Sequence, residues 1–487
     1  MSKPGEPQDP SGPAIGQDEW VARHGERRSR RAGIFGEIED RARSAPWWAW
    51  LVLFVAAFAL LPLVAQDGYI RRVAFDTTLY MLLALGLNVV VGWGGLLDLG
   101  YVAFYAIGAY AYAMLSSPQF GVHLPTLVSI PVIVVIGAVA GFLVGLPSRR
   151  LIGDYLAIVT LFFLQITQTV LTNGDQIAGH DLTGGANGIL KIDPLHLLGR
   201  SLAVQHGGVF AVSYLYISIA VFAVVYTALH LVNHSRTGRA WRSLREDPLA
   251  AEAMGMPVNL LKLMAFSFGA AVAALTGTLF AALQTSLFPL TFSFPLVITV
   301  YTMVILGGQG NLAGVTIGAV VVSVMLEFLR DPGDARILFY VVGVLAIAFA
   351  FGRTRKLAVL LASLVVFGFV AHAVADAINH DWVSGPAANG FDHALSHWVI
   401  IPTSLANWVG PVSYIGLVCL VLALTLVPAR VRYVALVPTI YLGTFVWENV
   451  LLAQPDSTRY IVLGVMLIAL MIARPNGLLG ERRVEIV

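Results

Sequence analysis

The sequence predicts an all-α polytopic membrane protein with about fourteen transmembrane helices. Of the 487 residues, 57% are apolar and only 12% are charged. The apolar runs repeatedly reach the roughly 20 residues that a helix needs to cross a bilayer. The distribution of basic residues agrees: with a cytosolic N-terminus and alternating spans, 23 of the 30 lysines and arginines fall on the cytosolic side, as the positive-inside rule requires.

The spans follow a polar, charge-rich segment, residues 1–46, which is predicted to be a cytosolic N-terminal tail. The weakest span is 290–307, because Pro289 and Pro295 interrupt it. It either crosses the membrane or re-enters it beside protein. In chain order the predicted spans are 47–65, 74–92, 98–117, 124–146, 155–173, 211–232, 258–285, 290–307, 312–329, 337–352, 357–377, 411–428, 433–452 and 460–473.

The polar segment 233–257 contains the signals of a short helix. Asp247 can cap its N-terminus, Pro248 fits the first helical position, and Gly255 suits the left-handed residue after the last turn. A helix this short needs packing or a partner to persist. We therefore predict a helix that couples the chain to a cytosolic protein, with a solvated basic loop as the alternative. The predicted coupling residues are Asp247, Ala251, Glu252, Ala253 and Gly255.

Glycine-rich bends lie at two further places, GWGGLLDLG (92–100) and GGQGN (307–311). Turn geometry and close packing explain such glycines, and hinges for alternating access are the functional alternative. Asp98 is expected to cap a helix that starts at Leu99. The outer loop 174–210 carries TGGANG, which either contacts substrate or a binding protein or only shapes the loop. Candidate residues of the substrate path or gate are Thr183, Asn187, Gly94, Gly95, Gly307 and Gly308.

The chain contains no Gly-Lys dipeptide and hence no Walker A loop. We therefore expect it to bind no cofactor and to be no enzyme, so that ATP would be used by partner subunits. An ion-coupled secondary transporter would need midplane carboxylates, and Glu327 and Glu448 lie near span ends. His393 and His397 could share a helix face in a membrane zinc enzyme, another alternative. No metal site is assigned, and nothing indicates nucleic-acid binding.

Six segments, in matching order, resemble one family. They are YMLLALGLNVVVGWGGLLDLGYVAFYAIGAY (Tyr80–Tyr110), GDYLAIVTL (Gly153–Leu161), LTGGANGI (Leu182–Ile189), REDPLAAEAMGM (Arg245–Met256), VILGGQGNLAGVTIGA (Val304–Ala319) and RPNGLLG (Arg474–Gly480). The chain is similar to the M-type permease subunit of branched-chain amino acid ABC importers, a family that also includes urea and short-chain amide permeases. The similarity covers about residues 70–352 and the last 20 residues.

The resemblance implies a permease core, 47–352, whose loop 233–257 docks on a nucleotide-binding subunit. In the family, RPNGLLG directly follows the helix equivalent to 337–352. Here an additional membrane-spanning region, 353–457, comes between them, and 458–487 forms the final span with a cytosolic C-terminus. The implied partners are a second homologous permease, two ABC ATPase subunits, an extracytoplasmic binding protein and the lipid bilayer of a bacterial inner membrane. The implied substrates are branched-chain or other hydrophobic amino acids, with urea or short-chain amides as the alternative.

Overall fold

The structure is a computed structural model that describes residues 46–64, 68–117, 121–148, 151, 153–176, 181–197, 200–201, 212–351, 355–385, 395–404, 406–426, 428–473 and 477–480. Most of the tail 1–46, His393 and the residues 474–476 and 481–487 lie outside these ranges. The described chain is almost entirely helical, with a few two-residue strands. This confirms the predicted fold class.

The first helices run from the start of the described chain to the predicted coupling segment. The second of them, α2, continues into a π-helical turn, Asn88–Trp93. Wider turns of this kind often occur at functional positions in helices. The helices are α1 (Trp47–Val64), α2 (Gly68–Leu87), α3 (Tyr101–Leu115), α4 (Thr126–Ser148), α5 (Asp154–Thr172), α6 (Val212–His234), α7 (Arg236–Glu246) and α8 (Pro248–Ala253).

The remaining helices include the central helix of the core and the predicted additional region. They are α9 (Val258–Gln284), α10 (Phe294–Gly307), α11 (Leu312–Phe328), α12 (Pro332–Phe351), α13 (Arg355–Ile378), α14 (Val409–Leu426), α15 (Ala429–Val446, with a π-helical turn Trp447–Leu451) and α16 (Pro455–Ala473). Two antiparallel strand pairs join β1 (Ile189–Leu190) to β4 (Ser286–Leu287), and β2 (His196–Leu197) to β3 (Arg200–Ser201).

A helix is present at each of the fourteen predicted positions, and within the described residues seven of these helices are long and apolar enough to cross a membrane. Six others are apolar but shorter, among them α3, α10 and α11. At 1.5 Å per residue, the 14-residue α10 is about 21 Å long. Because that is less than the hydrocarbon thickness of about 30 Å, α10 depends on its protein neighbours. A 3₁₀ turn, Pro289–Phe292, precedes it where the prolines predicted a break.

The core forms around α9, which packs against α2, α3 and α4. Small residues permit this close approach, because a Cβ added to Gly141 would lie 2.6 Å from the Cβ of Ala270. A Cβ added to Gly108 would lie 2.3 Å from the Cα of Ala274. In helices surrounded by lipid, packing of this kind replaces the hydrophobic effect as the force between helices. The small residues of α4 therefore act as contact surfaces for α9.

The additional helices α13, α14 and α15 pack on one another and join the core through α12. The ring of Phe339 stacks on Trp447 with centroids 4.4 Å apart. Glu448 bridges two helices, because its carboxylate accepts from Arg336 Nε at 2.9 Å and from Tyr340 Oη at 3.1 Å. A charge buried at this depth is tolerated only when it is paired in this way.

The final helix α16 returns to the core and contacts α10. Leu463 of α16 is fully buried in the main apolar cluster. The segment after α16 also docks on the core, because Leu478 N donates to Leu306 O at 2.8 Å and Leu479 N donates to Gly307 O at 3.0 Å. The chain therefore closes on the permease core after its additional region.

Candidate coupling and transport site

The predicted coupling helix is present as α8. The Asp247 side chain accepts hydrogen bonds from Leu249 N at 2.9 Å and Ala250 N at 3.1 Å. Pro248 occupies the first turn. Gly255 follows the helix with a φ of +78°, in open space where a Cβ would meet no atom. A side chain at Gly255 is therefore opposed by backbone conformation rather than by a clash.

One of the predicted coupling residues, Ala251, does not lie on the exposed surface of α8. Ala251 is buried, and so faces the rest of the chain, whereas Glu252 and Ala253 are exposed. Glu252 lies near the ammonium of Lys262. This carboxylate therefore has an oppositely charged neighbour within the chain itself. Two large apolar side chains that the sequence interpretation passed over, Leu249 and Met254, are 76% and 81% exposed. The sequence could have indicated these two residues, because they are large apolar side chains in the otherwise polar segment 233–257.

The preceding helix α7 holds α8 against the core. Ser235 caps the N-terminus of α7, because its side chain accepts a hydrogen bond from Gly238 N at 3.4 Å. Trp241 is completely buried: its Nε1 donates to Leu261 O at 2.9 Å, and its ring stacks on Trp93 with centroids 6.2 Å apart. Because Trp241 contacts both α9 and the π-helical turn of α2, α7 and the two core helices form one packed unit.

Arg245 reaches the two glycine bends from α7. Its Nη1 donates to Gly92 O. The same nitrogen would lie 2.9 Å from a Cβ added to Gly310, and Arg245 Cγ would lie 3.0 Å from a Cβ added to Gly95. The arginine therefore approaches both backbones closely. Glycine is favoured at both positions because the φ of Gly95 is +65° and that of Gly310 is +92°.

The two bends also bind one another directly. Asn88 Oδ1 accepts from Gly310 N at 2.8 Å, and Trp93 Nε1 donates to Gly310 O at 2.9 Å. The amide oxygen of Asn88 thereby gains a partner, whereas its Nδ2 is buried without a hydrogen-bond partner among the described residues. We call this group of contacts the bend junction and define it by Asn88, Gly92, Trp93, Arg245 and Gly310.

The four glycines predicted to line a path or gate lie in the two bends that this junction joins. Gly94 has helical dihedral angles, whereas Gly308 has a φ of +106°. Gly307 packs against α11, because its added Cβ would lie 2.2 Å from Gly314 O. The prediction that Asp98 caps a helix starting at Leu99 is wrong, because the helix begins at Tyr101 and its N-cap residue is Gly100, without a side-chain cap. Asp98 instead accepts a hydrogen bond from Gly100 N at 2.9 Å, in the turn before the helix.

Thr183 and Asn187, from the loop predicted to face outward, lie at the end of the core opposite α8. Thr183 is buried and its Oγ1 donates to Leu171 O at 2.8 Å, so this hydroxyl shapes the loop. Asn187 is exposed. The strand that follows, β1, pairs with β4 through Ile189 and Leu287. This pairing fixes the loop to the end of α9.

The described residues contain no group of three or more His, Cys, Asp or Glu side chains that could hold a metal ion. His397 is described, but His393, its proposed zinc-binding partner, lies outside the described residues. The metal alternative therefore gains no support from the described part of the chain.

Comparison with known proteins decides the family. The family model of the branched-chain amino acid transport system permease component matches residues 69–350. The chain belongs to this family. It is a transmembrane permease subunit of an ABC importer, as the six motifs predicted. The matched range includes α7, α8 and the bend junction, whereas the additional region, 353–457, lies entirely outside it.

Three relatives illustrate the similarity. The permease is 39% identical over 305 residues to the high-affinity branched-chain amino acid transport permease protein LivM of Salmonella typhimurium, covering 59% of this chain and 69% of the relative. It is 38% identical over 307 residues to LivM of Escherichia coli, covering 59% and 70%. It is 26% identical over 258 residues to LivH of Salmonella typhimurium, covering 50% and 80%. No solved structure matches the permease.

Proposed function

We propose that this permease imports branched-chain or other hydrophobic amino acids across a bacterial inner membrane. It would act with a second homologous permease, two ABC ATPase subunits and an extracytoplasmic binding protein, and ATP would be used by the ATPases. The names of the LivM relatives support the substrate class. The observation that carries the coupling role is α8: a capped, six-residue helix that exposes Leu249, Glu252 and Met254 beyond the membrane helices.

The contacts of α7 supply a route from the ATPases to the translocation path. Closure of the ATPase pair would displace α8, and α7 would follow because Asp247 ends α7 and caps α8. Through Trp241 and Arg245 the displacement would reach both glycine bends at the bend junction. Rigid elements joined by packed side chains and hydrogen bonds are the physical means by which such coupling travels.

Reconstitution into proteoliposomes tests the proposed substrate and energy source. With its partner permease, ATPases and binding protein, the permease should accumulate labelled leucine, isoleucine and valine when ATP is present on the ATPase side. Collapse of ion gradients by ionophores should leave this uptake unchanged, because ATP hydrolysis supplies the energy. Uptake of urea or acetamide in place of leucine would support the alternative substrate class. Uptake that requires an ion gradient and no ATP would contradict the ABC mechanism.

Cysteine labelling tests the proposed orientation, in which α7 and α8 are cytosolic and the segment after α13 faces out. Glu246 and Ser384 are both exposed, and replacing the single native cysteine by Cys419→Ala removes background labelling. In intact cells a membrane-impermeant maleimide should label Ser384→Cys only. In inverted vesicles it should label Glu246→Cys only. Labelling of both from the same side would contradict the proposed topology.

A further inference from the structure

A cavity of about 560 Å³ lies at the end of the core opposite α8. Its wall is formed by the first half of α2, the end of α9, the start of α10, the end of α11 and the start of α16. Its volume lies within the roughly 300–1,000 Å³ typical of sites for small molecules. The helix α16, which follows the additional region, supplies Arg459 and Tyr460 to this wall.

One face of α2 is directed into the cavity. Asp76, Leu79, Tyr80 and Leu83 all line it, and their spacing of three, four and seven residues places them on one side of a helix. Asp76 lies within the candidate spanning segment Gly68–Trp93, which is formed by α2 and its π-helical turn. An ionisable residue within a spanning helix is costly and by default marks a binding site or pathway. Asp76 therefore requires an explanation.

A structural role explains Asp76 poorly. Its ion pair with Arg72 has a separation of 3.9 Å, with side chains 39% and 52% exposed, and such loose, exposed pairs contribute little to stability. The cavity's other carboxylate, Glu327, is already engaged, because it accepts from Tyr69 Oη and from Arg330 Nη1 at 3.2 Å. Asp76 thus retains acceptor capacity that faces the cavity.

The remaining wall combines a cation with apolar surface. Arg459 faces the cavity from α16, and a guanidinium is suited to bind a carboxylate through two donors. Leu79 and Leu83 continue inward from Asp76, beside Tyr105 and Phe280, whose rings have centroids 5.6 Å apart. An acid, a base and an apolar wall match the three parts of an amino acid with an apolar side chain.

We propose that this cavity binds a zwitterionic amino acid, with Asp76 holding its ammonium, Arg459 its carboxylate and the Leu83 side of the wall its apolar side chain. This inference rests on the proposed function and assigns a site to it. The strand β4 links the site to the predicted gate, because Ser286 lines the cavity while Leu287 pairs with Ile189 of the outer loop. Substrate released by a binding protein would enter from this end.

Protection from alkylation measures binding in the cavity directly. Ser293 lines the cavity, and Ser293→Cys in a Cys419→Ala background gives one reactive thiol there. In the assembled importer, excess leucine should slow labelling of this thiol by an impermeant maleimide. Asp76→Asn and Arg459→Gln should each raise the half-protecting leucine concentration about 10- to 100-fold, the effect of losing a hydrogen bond to a charged group. Asp76→Glu should restore part of the protection.

A ligand that lacks the ammonium separates binding from a general structural defect. When Asp76 is present, 4-methylpentanoate should protect the Ser293→Cys thiol far less well than leucine does. In the Asp76→Asn variant, the two ligands should protect this thiol about equally well. The matched controls are Asp334→Asn and Lys191→Gln, exposed charges that do not line the cavity. Both should keep the original half-protecting concentration.

The outcomes distinguish this inference from the proposed function. ATP-driven leucine uptake with no leucine protection of Ser293→Cys would overturn the assigned site and leave the proposed function standing. The assigned site would also be overturned if Asp76→Asn and Arg459→Gln left the half-protecting leucine concentration unchanged. Absence of leucine uptake by the unsubstituted importer would instead contradict the proposed substrate.

Discussion

Replacing Leu249 and Met254 together by serine is expected to detach the ATPase subunits and abolish transport. These side chains are 76% and 81% exposed at opposite ends of α8, where water rather than lipid would surround them in the proposed orientation. Full burial of a leucine or methionine contributes about 1.5–3 kcal/mol. Loss of both should weaken the complex about 10²- to 10⁴-fold. Co-purification of the ATPase with affinity-tagged permease measures this directly.

The control for this change lies on the same helix. Ala250→Ser also introduces a hydroxyl at an exposed position, but removes almost no apolar surface, so ATPase binding should persist. Insertion of the double variant into the membrane should be normal, because neither side chain packs in the core. Normal ATPase recovery and uptake in the double variant would show that α8 is a solvated loop segment and would remove the main structural support for its coupling role.

Local chemistry explains which parts of the site could be predicted from the sequence. The cap at Asp247, the proline at the first position and the positive φ of Gly255 each depend on a few neighbouring residues. The structure confirms all three. The helix positions were predictable for the same reason, because the length of each apolar run by itself indicates a helix that could cross a membrane. The direction in which Ala251 faces depends instead on how α8 packs, and the sequence interpretation placed it among the coupling contacts.

Contacts between distant residues were not predictable in this way. Arg245 and Gly92 are 153 positions apart, and Asn88 and Gly310 are 222 positions apart. Each was noticed separately, the arginine as one of a basic series and the glycines as bends, but no local pattern pairs them. The cavity shows the same limit, because Asp76 and Arg459 line one cavity only after α16 has returned to the core past the additional helices.

Arg245→Gln is expected to uncouple ATP hydrolysis from transport without releasing the ATPases. The substitution removes the charged donor that binds Gly92 O beside Gly310, while Leu249, Glu252 and Met254 remain on the surface of α8. A hydrogen bond to a charged group contributes about 1.5–3 kcal/mol, so the bend junction should loosen rather than unfold. ATPase co-purification should stay normal. Leucine uptake and the stimulation of ATP hydrolysis by the liganded binding protein should fall at least about tenfold.

The matched control is Arg242→Gln, one turn earlier on α7. Arg242 also donates to a backbone carbonyl, Asn233 O at 3.0 Å, but this partner belongs to the end of α6 rather than to a glycine bend. The two variants lose the same charge from the same helix, so an effect of surface charge alone would appear in both. Because Arg245, unlike Arg242, contacts Gly92 and approaches Gly310, Arg245→Gln should uncouple the importer and Arg242→Gln should not. Equal loss of uptake in both variants, or normal stimulation in Arg245→Gln, would mean that the movement of α8 reaches the core by another route, through Trp241 and α9.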